Sequence, residues 1–225
     1  GDVKIKDLNN DGVIDYGNNT LDDHGDKTII GNSLPRFSYS LNLSGDWNNF
    51  FISAFFQGVG KQDWYPSSEC IFWGQYNRPY NNLPQWHLGN YWTEDNPDAY
   101  LPRYAGYNSS IKETPQTRYL QNVAYIRLKN LQLGYNLPQN ITSKLYIQNA
   151  RLYISAENLW CWSPLYKHTR DLDVTNIYGS DPELTDADMN SGLNGNHGSG
   201  DGNSYPQMTS ISLGVSVTFL VDDKK

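Results

Sequence analysis

Apolar and polar residues alternate along five segments of the chain. In a β-strand successive side chains point to opposite faces, so a period of two predicts a strand with one apolar and one polar face. The last segment shows this clearly, because apolar residues at odd positions from Ile211 to Phe219 alternate with serine, glycine and threonine. The predicted strands lie near residues 37–47, 50–59, 123–137, 151–159 and 209–219.

Two local features refine the strand pattern. The first two segments are separated only by residues 46–49, which predicts a hairpin with a short turn. The third segment changes parity, because its apolar positions are even up to Leu128 and odd from Leu131 onwards. A one-residue slip in register exchanges the two faces of a strand, so we predict a β-bulge at Lys129–Asn130.

The polar faces and the connections indicate the kind of sheet. Two strands carry serine, asparagine, glycine and threonine on the polar face, and such small uncharged residues suit a crowded lumen behind a lipid-facing apolar stripe. Short connections alternate with long irregular ones, residues 61–121 and 160–208. The sequence therefore predicts an all-β fold, an antiparallel transmembrane β-barrel with long extracellular loops. A β-sandwich with a polar outer face is the alternative.

Composition excludes several classes of function. The net charge is −7 and no basic cluster exists to neutralise phosphates, so we expect no nucleic-acid partner. No apolar run approaches the roughly 20 residues that a membrane helix needs. No catalytic motif occurs, and we expect no enzyme activity. Cys70 and Cys161 are far apart in sequence and have no metal-site spacing, which leaves both a disulfide and reduced thiols open.

Oxygen-bearing residues near the start of the chain follow the spacing of a calcium loop. Calcium prefers six to eight oxygen ligands, and alternate residues of a tight loop can supply them around a glycine such as Gly12. The position that would hold a bidentate glutamate is Asn18, and no amphipathic helix flanks the loop. The alternative is a turn capped by its own side chains. The candidate Ca²⁺ ligands are Asp7, Asn9, Asp11, Val13 through its carbonyl, and Asp15.

The first long connection is crowded with aromatic residues. Aromatic faces can stack on sugar rings or anchor a protein partner, whereas the alternative is that they form the interior of a large ordered loop. We favour the interior as the more common role. Four tryptophans are the candidates for contact with a ligand or a lid: Trp64, Trp73, Trp86 and Trp92.

In these motifs and their order, the chain resembles the SusC/RagA family of TonB-linked outer-membrane transporters of Bacteroidetes. The resemblance covers nearly the whole chain and corresponds to the C-terminal end of such a protein. The matching runs are Asp7 to Asp15, Pro35 to Tyr39, Phe55 to Gly60, Tyr125 to Tyr135, Ala156 to Leu159, and Tyr205 to Phe219.

The resemblance implies a function and a set of partners. Residues 1–225 would be the C-terminal part of a barrel in the outer membrane, in contact with its lipid. A SusD-like surface lipoprotein would close the barrel as a lid. The TonB complex would act through an N-terminal part that this chain lacks, and the cargo would be glycans or oligopeptides. The alternative function is a secreted calcium-dependent β-sandwich that binds carbohydrate.

Overall fold

The computed structural model of the chain describes residues 1–66, 70–76, 79–80, 82–105, 114–167 and 207–219. Its contacts divide the chain into two units. The loop unit comprises Gly1–Leu34, Asp63–Asn122 and Lys167–Tyr205, and the sheet unit comprises Pro35–Gln62, Val123–Tyr166 and Pro206–Lys225. Residues 168–206, which make up most of the second predicted long loop, lie outside the described residues.

The described residues contain seven strands, and all pairs between them are antiparallel. In chain order they are β1 (Ser38–Trp47), β2 (Phe50–Val59), β3 (Asp63–Trp64), β4 (Gln121–Asn122), β5 (Tyr125–Asn136), β6 (Ile147–Trp162) and β7 (Ser210–Phe219). The sheet unit holds one sheet in the order β1-β2-β5-β6-β7, and β3 pairs with β4 in the loop unit. The predicted fold class is confirmed in its antiparallel strands and scarcity of helix. Among the described residues the sheet is open at β1 and β7.

The first hairpin closes over two residues. Asn48 and Asn49 both have positive φ angles, 47° and 69°, which is the geometry of the tight turn that matches the twist of paired strands. Asparagine tolerates this region better than most residues, because its short side chain can bond locally. The register that follows pairs Trp47 with Phe50.

β6 is longer than the segment predicted at residues 151–159. It is held by β5 on one side as far as Trp162 and by β7 on the other side from Ile147. The preceding connection is correspondingly short, with helix α1 (Gln139–Thr142), a 3₁₀ turn and Tyr146 at φ 57°. Hydrogen bonds to the neighbouring strands determine where β6 begins and ends, and the alternation of side chains in the sequence does not reveal them. Within the described part of the chain no helix is long and apolar enough to cross a membrane.

The predicted bulge in β5 is confirmed. Phe55 pairs with Asn130 and Phe56 pairs with Leu128, so Lys129 has no opposite residue in β2. One extra residue compensates for the change of parity, because both Leu131 and Leu128 now lie on the apolar face with Ala54 and Phe56.

The sheet has a continuous apolar face that the described residues leave exposed. Each in-register row crosses all or most of the strands, and one such row is Gly45, Ile52, Leu133, Ile154 and Leu213. Leu213 is 82% exposed and Ile154 is 48% exposed. A sandwich would bury such a face against a second sheet, and the sheet unit contains no second sheet among the described residues. The sandwich alternative is therefore not supported.

The opposite face of the sheet is mostly small and polar. One row consists of Ser44, Ser53, Gln132, Ser155 and Ser212. The next row places Phe51 opposite Gly134 and Tyr153 opposite Gly214, so that each large ring has a glycine as its neighbour. We call this the polar face.

Candidate functional site

The candidate calcium loop is closed by hydrogen bonds from its own backbone. Asp7 accepts the N–H groups of Asn10 and Gly12 at 2.6 and 2.9 Å. The Asn9 side chain accepts the Asp11 N–H at 3.1 Å, and Asp11 accepts the Val13 N–H at 2.8 Å. Gly12, at φ 85°, supplies the left-handed residue that the tight turn needs.

A second carboxylate, Asp26, ties this loop to the segment that follows it. Asp26 accepts the Leu8 N–H at 2.6 Å and the Asp15 N–H at 3.0 Å. Hydrogen bonds to these two backbone groups lower the pKa of Asp26, because they stabilise its charged form. Asp26 is not among the ligands named from the sequence, because no spacing rule connects it with Leu8 or Asp15.

The fit of this loop to a metal ion depends on donor type and on convergence. Carboxylate, amide and carbonyl oxygens are the donors that Ca²⁺ prefers. Among the described residues, however, no three Asp, Glu, His or Cys side chains come together to hold a metal. Asp15 instead accepts the Gly17 N–H at 2.8 Å. The calcium ligands named from the sequence thus stay a prediction.

Aromatic side chains form the interior of the loop unit. Trp64 is 4% exposed and Trp73 is fully buried. Neither ring presents a face to solvent, so a role for these two tryptophans in contacting an outside ligand is not supported. Trp73 packs edge-on against Phe72 and Tyr119, with ring centroids 5.1 and 5.5 Å apart. The structure favours the interior alternative for both.

The other two tryptophan candidates are only partly buried. Trp86 packs edge-on against His87 at 4.3 Å. Trp92 lies against the start of the chain, where a Cβ on Gly1 would come within 2.5 Å of its ring. Arg103 strengthens this contact in two ways. Its backbone N–H donates to the Gly1 carbonyl at 3.0 Å, and its guanidinium forms an ion pair with Asp2. Both rings therefore help to order the loop unit.

His87 is a fully buried histidine in this aromatic interior, and sequence spacing gives no signal for it. One ring nitrogen, Nε2, lies 2.9 Å from the Phe72 carbonyl, and Nδ1 lies 2.8 Å from the Tyr104 hydroxyl. A carbonyl only accepts, so Nε2 carries the proton and Nδ1 accepts from Tyr104. Burial lowers the pKa of His87 to about 4.

Cys70, which is also buried in the loop unit, forms no disulfide, and neither does Cys161.

Comparison with known proteins finds relatives along nearly the whole chain. The chain is 29% identical to TonB-dependent receptor P26 of Formosa agariphila over 97% of its length. It is 29% identical to receptor P3 of the same organism over 86% of its length, and 27% identical to receptor P39 over 97%. It spans about a fifth of the length of these relatives, 20%, 17% and 19% respectively. No family model matches the chain.

Solved structures give a weaker similarity. The RagAB peptide transporter is 26% identical over 60% of this chain and 14% of that chain, with a TM-score of 0.46. The curated relatives confirm what the motifs indicated: the chain resembles part of a TonB-dependent receptor along nearly its whole length. They are receptors and not enzymes, in agreement with the absence of enzyme activity expected from the sequence.

Proposed function

We propose that the chain is part of a TonB-dependent importer in the outer membrane of a Bacteroidetes-type bacterium. The observation that carries this proposal is the similarity to TonB-dependent receptors over 97% of the chain. The complete transporter takes up glycans or oligopeptides together with a SusD-like surface lipoprotein. The TonB complex energises uptake through a part of the transporter that lies outside this chain.

The apolar face of the sheet supports a position in lipid. Fully burying one large aliphatic or aromatic side chain is favourable by about 1.5–3 kcal/mol, and this face exposes such residues on every strand. Contact with hydrocarbon satisfies the apolar face without a second protein layer.

Aromatic residues at both ends of the same face support the same position. At one end, Trp47, Phe50 and Tyr135 share a row, and at the other end lie Trp160 and Trp162. Aromatic girdles of this kind flank the apolar band of outer-membrane barrels.

Fractionation of cells that express the complete transporter tests this proposal. We expect the protein in the outer-membrane fraction, soluble only in detergent, with heat-dependent mobility on SDS gels as for a closed barrel. A soluble, monodisperse protein in the absence of detergent would contradict it. Uptake assays with glycans and with oligopeptides, in cells that have and lack the lipoprotein partner, identify the cargo and test the lid.

We further propose that the loop from Asp7 to Asp15 binds Ca²⁺ in the complete transporter and so stiffens an extracellular loop. The oxygen donors of the loop support this, and the carboxylates would have to exchange backbone hydrogen bonds for the ion. Calcium should raise the thermal stability of this loop by mass action. Asp7→Asn together with Asp11→Asn should abolish the effect, and Asp22→Asn should preserve it. Equal protease resistance of the loop in calcium and in EGTA would contradict the proposal.

A further inference from the structure

The polar face of the sheet unit contains a recess beside the first residues of β6. Its volume is about 440 Å³. All of its lining residues are polar, and a single one is charged: Gln132, Asn149, Arg151, Tyr153, Ser216 and Thr218. No residue of the candidate calcium loop or of the aromatic interior lines the recess, and neither proposal above uses it.

Glycines leave room for two aromatic rings near this recess. A Cβ on Gly134 would come within 2.3 Å of the Phe51 ring, and one on Gly214 would come within 2.2 Å of the Tyr153 ring. Real Cβ atoms do not approach so closely, so each ring occupies space that only a glycine leaves. The glycines of the strands opposite therefore make the positions of the Phe51 and Tyr153 rings possible.

The Phe51 ring in turn orients Arg151. The guanidinium carbon Cζ lies 4.4 Å from the ring centroid, within the range of a cation–π contact. Its Nε donates to the Asn136 side-chain oxygen at 2.8 Å. With its carbon over the Phe51 ring and its Nε bonded to Asn136, the guanidinium has both Nη groups left, and no described residue accepts a hydrogen bond from them.

We propose that the recess binds a carboxylate at Arg151. The fork of a guanidinium matches a carboxylate in planarity and spacing, and the two form paired charge-assisted hydrogen bonds. One cation balances one negative charge, which favours a carboxylate over a doubly charged phosphate. The amide and hydroxyl groups of Gln132, Ser216 and Thr218 provide uncharged hydrogen-bonding groups around it.

Two sources offer the same chemistry. The carboxylate belongs either to a small free ligand or to an Asp or Glu side chain on another segment of the complete transporter. That the recess lies within a transporter rests on the proposed function, whereas the recess itself is a feature of the sheet unit. Failure of the membrane fractionation test would rule out the transporter, whereas the measurements below test only whether Arg151 binds a carboxylate.

The rate of chemical modification, measured for each arginine separately, distinguishes the two sources of the carboxylate. The purified complete transporter is treated with phenylglyoxal in sodium chloride or in sodium acetate at equal ionic strength, and modification is followed by mass spectrometry. Arg36, an exposed arginine of the sheet unit outside the recess, is the internal reference. For a free ligand we expect Arg151 to react readily in chloride and about tenfold more slowly in saturating acetate, given the strength of a charge-assisted bond. For a side-chain source we expect it to be protected in both salts.

Thermal unfolding of variants separates pairing from simple coverage. Arg151→Gln should lower the melting temperature if a transporter carboxylate loses its partner, and Arg151→Lys should restore part of the loss, because lysine keeps the charge without the fork. Arg36→Gln should have no effect. Protection of Arg151 combined with an unchanged or raised melting temperature in Arg151→Gln would overturn the proposal. Labelling of Arg151 at the rate of Arg36 in both salts would overturn it as well.

Discussion

Phe51 and Tyr153 show how single residues shape the polar face of this sheet. Each ring lies over a glycine on the adjacent strand, and the Phe51 ring then supports the guanidinium of Arg151. The sequence gives each of these residues its parity and therefore its face. It does not give the register, so the pairing of large and small residues becomes visible only in the structure.

Burial was the property that the sequence predicted least well for single residues. Trp64, Trp73, Trp86 and Trp92 are equivalent as aromatic residues in an irregular loop. In the structure the first two are buried and the last two are partly exposed. Loops have no repeating period from which an inward face can be inferred, so the difference depends on long-range contacts.

The lowered pKa of His87 predicts that the stability of the loop unit depends on pH. The pKa of about 4 in the folded chain is below the ordinary value of 6.5, so the unfolded chain binds more protons between these two values. Stability is therefore complete above about pH 6.5 and declines as the pH falls towards 4. The total effect is about 3 kcal/mol, at 1.36 kcal/mol for each pH unit.

Hydrogen exchange in the complete transporter, corrected for the intrinsic effect of pH, measures this effect. We expect residues 70–76 and 85–91 to lose protection between pH 6.5 and 4.5. His87→Gln should flatten the dependence, because glutamine can donate to the Phe72 carbonyl without titrating. His24→Gln, at an exposed histidine, is the matched control. The same pH profile in wild type and His87→Gln would contradict the assignment.

At the scale of elements, the bulges show which irregularities alternation can reveal. Lys129 was predicted because it changes the parity of β5. The neighbouring bulge in β6 was not predicted. There two residues, Asn158 and Leu159, lie opposite the single residue Lys129, and Asn158 has a φ of 50°. Two residues against one leave Ala156 and Trp160 on the same face, so β6 shows no change of parity in its sequence.

Deletion of Lys129 should remove the bulge from β5 without exchanging the two faces of the strand. After the deletion Leu128 and Leu131 are two positions apart, so a regular strand keeps both on the apolar face and pairs in register with β2. We therefore expect the deletion variant to keep the heat-modifiable, folded band on SDS gels. Lys129→Ala keeps the residue count and should retain that band as well. Loss of the band in the deletion variant alone would contradict this expectation and would show that β6 needs a residue opposite Asn158 and Leu159.

At the scale of the whole molecule, local pattern predicted the sheet and failed in the connections. Each strand of the main sheet pairs with the next one of that sheet in chain order, so five alternating segments were enough to give its order. The connection after β2 folds around buried aromatic residues, and the only strands among its described residues are the two-residue β3 and β4. Those strands are too short for a period to be recognised.

The short pairing of β3 with β4 has a consequence for how such a chain can change. Asp63 pairs with Asn122 and Trp64 with Gln121, so the long excursion starts and finishes at residues already bonded to each other. The entropic cost of closing a loop grows only slowly with loop length. Because the β3–β4 pair already joins the two ends of the loop, residues inserted between them do not change the register of β2 and β5. Residues 65–120 can therefore lengthen, shorten or diversify while β2 and β5 remain paired as they are.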